Sequence, residues 1–309
     1  MSNLKTIKEI SDFQKSLHST YKQHPILNSI LSDLENIKEY QFNDFRQRYT
    51  ELLRSDFVQW ALNKELNAFI DEEYYQLPLY FDSGRAKGWV VLNTPYFRFT
   101  TFFYDERLIN KNRASNIDEQ FSIQIAAPDS ILYFPKGKGT VVNVYEGDRI
   151  SAHSEAPQSL RLKESIDVQD GQLIHIEAGK HAFQFETVAN DVVYHEISSI
   201  KSPVRVIGEY NLSSLQLVGL SAANLSSSRA EMFSEMVANL KHQPSIPVLE
   251  KLTRHQDHFV RWSAATSLYS LSPSRGQKVI ESLTDDPHPD VRETAQKCIS
   301  IFAGEHHGN

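Results

Sequence analysis

The chain has 309 residues, 40% hydrophobic and 23% charged, with a formal net charge of −7 and a pI near 6.0. That length exceeds one ordinary core, so two or three domains are expected, and the composition leaves little room for long disorder. The negative charge argues against nucleic acid and anionic lipid as partners. With one cysteine, Cys298, no apolar leader and no membrane-length apolar run, the expectation is a cytoplasmic protein without disulfides.

Residues 1–85 read as a helical region. Leu4, Ile7, Ile10, Phe13 and Leu17 recur every three or four positions, and Pro25 opens a second stretch with Ile26, Leu27, Ile30, Leu31 and Leu34 on one side. Further stretches carry Phe45, Tyr49 and Leu52, then Phe57, Trp60, Ala61 and Leu66. Helices of this kind need a surface to bury their apolar stripe, so they form a small bundle or wrap the next domain.

Across 86–210 the period changes to two. In the run Tyr96 to Tyr104 aromatics fall on both faces, as in a strand buried on each side. Strand-like runs follow at Phe121–Ala126, Ser130–Phe134, Thr140–Tyr145, Ser159–Leu162, Gln172–Ile176, Ala182–Val188 and Val192–Ile197, separated by turn signals. About eight short strands at this spacing predict an antiparallel double-sheet sandwich or jelly-roll barrel.

Within it, Gly171-Gln-Leu-Ile-His-Ile-Glu-Ala-Gly-Lys-His181 resembles the second motif of cupins, and Val142-Asn-Val-Tyr-Glu-Gly147 resembles the end of their first. The resemblance spans about 60 residues and departs from the pattern at Glu177, where proline is usual, and in the spacing of Gly179 to His181. It implies a barrel with three histidines and a carboxylate around a metal. The window that should supply most of these, Ser130 to Thr140, holds neither histidine nor carboxylate, so no metal cofactor is expected. The alternative is a rearranged iron, manganese or zinc shell built on His181 and His195 with Glu186 or Glu196. His195 shares parity with Val193 and Ile197 and is expected to point into the barrel; His175 is expected on the outer face and His153 in a loop. A pocket for a small carboxylate or aromatic ligand would draw on Tyr96, Arg98, Phe102, Tyr104, Tyr133, Tyr145, His181 and His195. The same aromatics serve equally well as core.

Residues 211–228 are serine-rich and read as a linker. From 229 to 304 the helical period returns with an internal repeat: Val248-Leu-Glu-Lys-Leu-Thr253 recurs as Val279-Ile-Glu-Ser-Leu-Thr284, an offset of 279 − 248 = 31 residues. At that offset Val260 and Arg261 fall on Val291 and Arg292, and Ala264 on Ala295. Repetition across two helices signals stacked hairpins. The run from Leu283 to Ala295 resembles the HEAT-like repeats of phycobilisome lyases, in which the arginine after valine pairs with acidic groups of a neighbouring repeat. Two clear copies are few for a free-standing array, and a helix over Arg229–Leu240 is expected to cap them.

The expected architecture is a multidomain α+β chain: N-terminal helices, a central cupin-like barrel and C-terminal HEAT-like helices. It suits a small-molecule-binding or regulatory protein with a protein partner on Arg261, Trp262 and Arg292, or a homo-oligomer. The alternative is a metal-dependent oxygenase or isomerase of the cupin type.

Overall fold

In the computed structural model, residues 7–71, 75, 80–82, 86–107, 122–150 and 159–305 are described. Leu4, Phe121 and His153 lie outside that set. The chain forms two compact units, each assembled from three segments: Met1–Asp148, Gln158–Pro203 and Glu209–Val218 in one, Arg149–Pro157, Val204–Gly208 and Gly219–Asn309 in the other.

The first unit opens with helices α1 (Ile7–Ser19), α2 (Pro25–Glu35), α3 (Arg46–Arg54) and α4 (Phe57–Asp71). Pro25 occupies the first turn of α2, where its missing N–H leaves no ladder bond unmade. Leu27, Ile30 and Leu34 then fall on one face and are fully buried, as are Tyr49 and Leu52 of α3 and Phe57 and Ala61 of α4.

Strands follow: β1 (Tyr80–Asp82), β2 (Ala86–Asn93), β3 (Phe97–Tyr104), β4 (Ser122–Gln124), β5 (Ser130–Lys136), β6 (Thr140–Glu146), β7 (Arg161–Val168), β8 (Gln172–Ile176), β9 (His181–Val188), β10 (Val192–Ser199), β11 (Val206–Asn211) and β12 (Leu217–Ala222). One sheet has the order β1-β2-β3-β10-β5-β8, a second the order β7-β6-β9, and a third the order β12-β11-β4. The strands run antiparallel in every pairing described. This is the antiparallel double-sheet region expected of the middle of the chain.

The six-stranded sheet is covered on both sides. One face sends Leu132, Phe134, Ile174 and Tyr194 against Val142, Val144 and Phe185 of the three-stranded sheet. The other sends Phe97, Phe99, Ile131 and Ile197 against Tyr21, Leu27, Leu52 and Phe57 of the N-terminal helices. That second layer explains why β3 is aromatic on both faces: fully burying each such side chain contributes about 1.5–3 kcal/mol.

The stretch 211–228 is not a linker. Strand β12 runs through it and α5 (Leu225–Asn239) begins inside it. Its serines and asparagines are turn and cap residues. Asn211 Oδ1 accepts the N–H groups of Ser213 (3.0 Å) and Ser214 (2.9 Å), closing the turn between β11 and β12. Asn224 Oδ1 accepts those of Ser226 (2.8 Å) and Ser227 (3.2 Å), capping α5.

The second unit continues with α6 (Ile246–Leu252), α7 (His258–Leu271), α8 (Pro273–Ser282) and α9 (Pro289–Glu305). The 31-residue repeat maps onto the pairs α6–α7 and α8–α9. Val260 and Val291 are both buried, and so are Ala264 and Ala295. Val237 of α5 joins Leu249, Ala264 and Leu268 in one core, and Ala265, Ile280, Leu283 and Val291 make the next.

The close approach of α8 to α7 depends on Gly276. A Cβ built there would lie 2.1 Å from Tyr269 Cα and 2.3 Å from Tyr269 N, a backbone that cannot step aside. Gly276→Ala is expected to destabilise this unit by about 1–3 kcal/mol, read as a lowered urea midpoint for its unfolding. An unchanged midpoint would mean that the two helices separate freely.

Candidate functional site

The residues expected to share one pocket occupy four different places. Phe102 and Tyr104 do face the barrel interior, where Phe102 stacks on Tyr194 (4.8 Å between ring centres) and Tyr104 packs on Phe185 (4.9 Å). Arg98, on the same face of β3, is exposed. Tyr96 falls outside the strand, because Thr94 Oγ1 accepts the N–H groups of Tyr96 (3.1 Å) and Phe97 (2.9 Å) and turns the chain there. Its ring meets Tyr40, 5.3 Å away, on the helical side. Tyr145 lies on the far face of the three-stranded sheet, buried with Ile123, Leu160 and Tyr210.

His195 has the parity expected but faces the other way. Its companions Phe99, Ile197 and Tyr133 belong to the helix-covered face, so the imidazole points toward the N-terminal helices and not into the barrel. Its Nδ1 is 3.1 Å from Thr101 Oγ1. Burial pushes its pKa down to about 4, so it stays neutral.

His181 does sit beside the interior, on the parity of Phe183 and Phe185, and is 5% exposed. Gly179, with φ of +70°, takes the left-handed position in the turn that returns the chain to it. The turn also fixes the ring. His181 Nδ1 accepts the Glu177 backbone N–H (3.1 Å), so the imidazole proton is on Nε2. Nε2 in turn lies 3.3 Å from Lys163 Nζ. Lys163 is the extra residue of a bulge: Val144 pairs with Glu164 and Tyr145 with Leu162, leaving Lys163 unmatched. Burial and then the Lys163 charge hold the His181 pKa below its ordinary value.

These two side chains border a rim cavity of about 220 Å³, completed by Arg46 of α3, Ser130, His175 and Asp129. His175 is exposed beside Arg46, as its alternation with buried Ile174 and Ile176 requires. Partial desolvation of the ring by the surrounding wall, then the Arg46 charge, holds its pKa down. Glu196, on the interior parity of Val192 and Tyr194, has its carboxyl raised by burial, partly offset by Ser130 and Arg98.

A cupin-type metal shell does not fit these side chains. His181 offers no free lone pair, because one nitrogen takes a backbone N–H and the other carries its proton toward an ammonium. His195 is on the opposite side of the six-stranded sheet. Glu186 is exposed and accepts from Asn143 Nδ2 (2.9 Å) on the outer face of the three-stranded sheet. No group of three or more His, Cys, Asp or Glu suited to a metal ion occurs among the described residues.

In the helical unit, Arg261 is not available to a partner. It is 9% exposed and grips Asp286 of the second hairpin through Nε–Oδ2 (2.7 Å) and Nη2–Oδ1 (2.5 Å). Its Nη1 also donates to the carbonyls of His255 (2.9 Å) and Gln256 (3.0 Å). Arg292 repeats the second of these roles at the same offset, donating to the carbonyls of Asp286 (2.7 Å) and Pro287 (2.9 Å). Trp262 is half-buried against the core of the second hairpin. The feature missed by sequence reasoning is on α5. Its buried face carries the small residues Ser227, Ser234 and Val237, while Leu225 (65% exposed), Met232 (68%), Met236 (50%) and Leu240 (69%) line up outside.

No helix among the described residues is long and apolar enough to cross a membrane. Comparison with curated protein sequences gave no match. Among solved structures, similar chains include KdgF from Halomonas sp., with 12% identity over 40% of this chain and 87% of that one and a TM-score of 0.26. An RmlC-like cupin from Shewanella frigidimarina shares 8% identity over 42% of this chain and 87% of that one, with a TM-score of 0.25. The EutQ protein of Clostridium difficile shares 12% over 39% and 75%, with a TM-score of 0.22. Scores this low carry no argument, so the description of the barrel rests on its strand order and packing. Residues 227–300 match the family of HEAT repeats. Over those residues the C-terminal helices, from α5 onward, are similar to HEAT repeats.

Proposed function

We propose that this is a cytoplasmic binding or regulatory protein whose barrel unit takes a small molecule and whose HEAT repeats engage a protein partner, without a transition-metal cofactor. The α5 stripe is the observation that carries it. A helix in a globular unit turns its large apolar side chains inward; α5 sends Val237 and Phe233 inward with Ser227 and Ser234, yet holds Leu225, Met232 and Met236, and Leu240 just past its end, outside. Adaptable methionines on such a face suit an apolar protein surface.

In the full chain, the double variant Met232→Lys and Met236→Lys is expected to fold normally and to lose a partner that the wild-type chain co-precipitates and that has been identified by mass spectrometry. Retention of that partner at wild-type level would sink the role of α5. Light scattering of the wild-type chain at rising concentration separates self-association from a different partner. The metal-free part is tested by metal analysis of the purified protein. Stoichiometric iron, manganese or zinc that is lost in the His181→Ala, His195→Ala double variant would replace this reading with a metal-dependent enzyme.

A further inference from the structure

The rim cavity presents two donors to each other with no acceptor between them. His181 Nε2 carries a proton because Nδ1 is occupied by the Glu177 N–H, and 3.3 Å away stands the Lys163 ammonium. A neutral imidazole cannot accept at both nitrogens. An N–H aimed at an ammonium therefore leaves a buried donor unmade, which costs about 1–3 kcal/mol. Nor is the arrangement incidental to a regular strand. The bulge in β7 aims Lys163 at this point, and the Gly179 turn locks the His181 tautomer.

The remaining charges around the cavity do not fill the gap. Asp129 Oδ1 accepts the Ala178 N–H (3.0 Å). Glu177 pairs with Lys180 (3.6 Å), which also reaches Glu146 (3.2 Å). Glu164, its side chain about half exposed, stands 3.7 Å from Lys163 Nζ, beyond hydrogen-bond distance, and Arg46 is tied only to Asn43 Oδ1 (2.8 Å) in the bonds described.

We infer that the rim cavity binds a small organic acid, one carboxylate oxygen lying between His181 Nε2–H and the Lys163 ammonium with Arg46 on the cavity wall. This rests on the reading of the barrel as a ligand-binding unit and gives its ligand a chemical class. At about 220 Å³, the cavity has room for an acid of a few carbons. A carboxylate replaces the missing acceptor for both donors at once, and charge-assisted bonds of this kind are about twice as strong as neutral ones.

The test is titration of the full chain with pyruvate, followed through the His181 imidazole resonances, with inorganic phosphate and chloride in parallel arms. Saturable binding of pyruvate that moves those resonances is expected. Lys163→Met should weaken it about tenfold or more, and Lys163→Arg should largely preserve it. Lys163 is part-exposed on a bulge, so a matched thermal midpoint in Lys163→Met separates a lost ligand from a lost fold. Phosphate binding in preference to pyruvate would replace the carboxylate by a phosphate group and overturn the class. Pyruvate binding equal in Lys163→Met and wild type would place the acid elsewhere in the barrel unit, which sinks the rim site and leaves the broader reading standing. No saturable binding in any arm sinks the rim site, while the α5 experiment continues to test the partner separately.

Discussion

Arg261→Ala is expected to destabilise the helical unit by about 3–5 kcal/mol, the range for removing one partner of a buried ion pair. Three kinds of contact vanish together. The Asp286 carboxylate, itself buried, loses both of its charge-assisted bonds to Arg261. The carbonyls of His255 and Gln256 lose their donor at the entrance to α7. The two hairpins also lose a side chain that links the turn of the first to the turn of the second. Arg292→Ala removes only a pair of carbonyl bonds on a half-buried side chain and should cost nearer 1 kcal/mol. Hydrogen exchange of the α7 amides in the full chain reads the difference, about a hundredfold faster or more in Arg261→Ala. Equal protection in the two variants would show that the ion pair adds nothing beyond carbonyl capping. A pH signature accompanies it. Burial alone would raise the Asp286 pKa, but the Arg261 bonds and the His288 N–H outweigh it and the net shift is down. A carboxyl with a depressed folded pKa stabilises above its unfolded value of about 3.9 and loses that contribution as pH falls through the folded value. The wild-type helical unit should therefore weaken below about pH 4, and the Arg261→Ala unit should show much less of this dependence.

The same arginine shows where reading the sequence succeeds and where it stops. The 31-residue offset found the hairpins and the equivalence of Arg261 with Arg292, because stacking demands the same apolar positions in each copy. The offset alone did not show that Arg261 is spent inside the stack, since the first copy has His255 where the second has the partner Asp286; only the HEAT resemblance implied a pairing with an acid of the neighbouring repeat. In the barrel, alternation located β5, β6, β8, β9 and β10, because a half-buried strand must alternate. Alternation gives parity alone, however, and does not say which layer covers which face. His195 was placed with Ile197 correctly and then assigned to the wrong side, since the N-terminal helices bury the sheet as thoroughly as the barrel does. The serine-rich stretch near 211–228 read as a linker because Asn211 and Asn224 look polar in sequence and act as a turn and a cap in space. The rim cavity was invisible for another reason: a bulge at Lys163 and the tautomer of His181 leave no trace in residue spacing.

Glu65 offers the other large effect, in the first unit. It lies on the buried stripe of α4 with Phe57, Ala61 and Ala68 and is 0% exposed. Its two carboxylate oxygens accept from the hydroxyls of Tyr21 and Tyr75, and His18 Nε2 is 3.6 Å away. One acid thus ties α1, the turn after it and the segment beyond α4. Glu65→Leu keeps the volume but leaves two buried hydroxyls without an acceptor, and the expected cost is about 3–5 kcal/mol. The pH dependence separates this from simple loss of packing. Burial raises the Glu65 pKa, but hydrogen bonds from His18, Tyr21 and Tyr75 reverse it to a net lowering. Its contribution is therefore present above about pH 4.3 and lost as pH falls through the folded value. Burial, then the Glu65 bond, raises the pKa of Tyr21 and of Tyr75. Their contribution is present below about pH 10 and lost as pH climbs through the raised values. Wild-type stability in urea should form a plateau between these limits with a fall on each side. Glu65→Leu should remove the acid fall and lower the plateau while keeping most of the alkaline fall, which burial of the two hydroxyls chiefly sets, whereas a variant that merely opened a cavity, such as Ala68→Gly, would lower the plateau and keep both slopes.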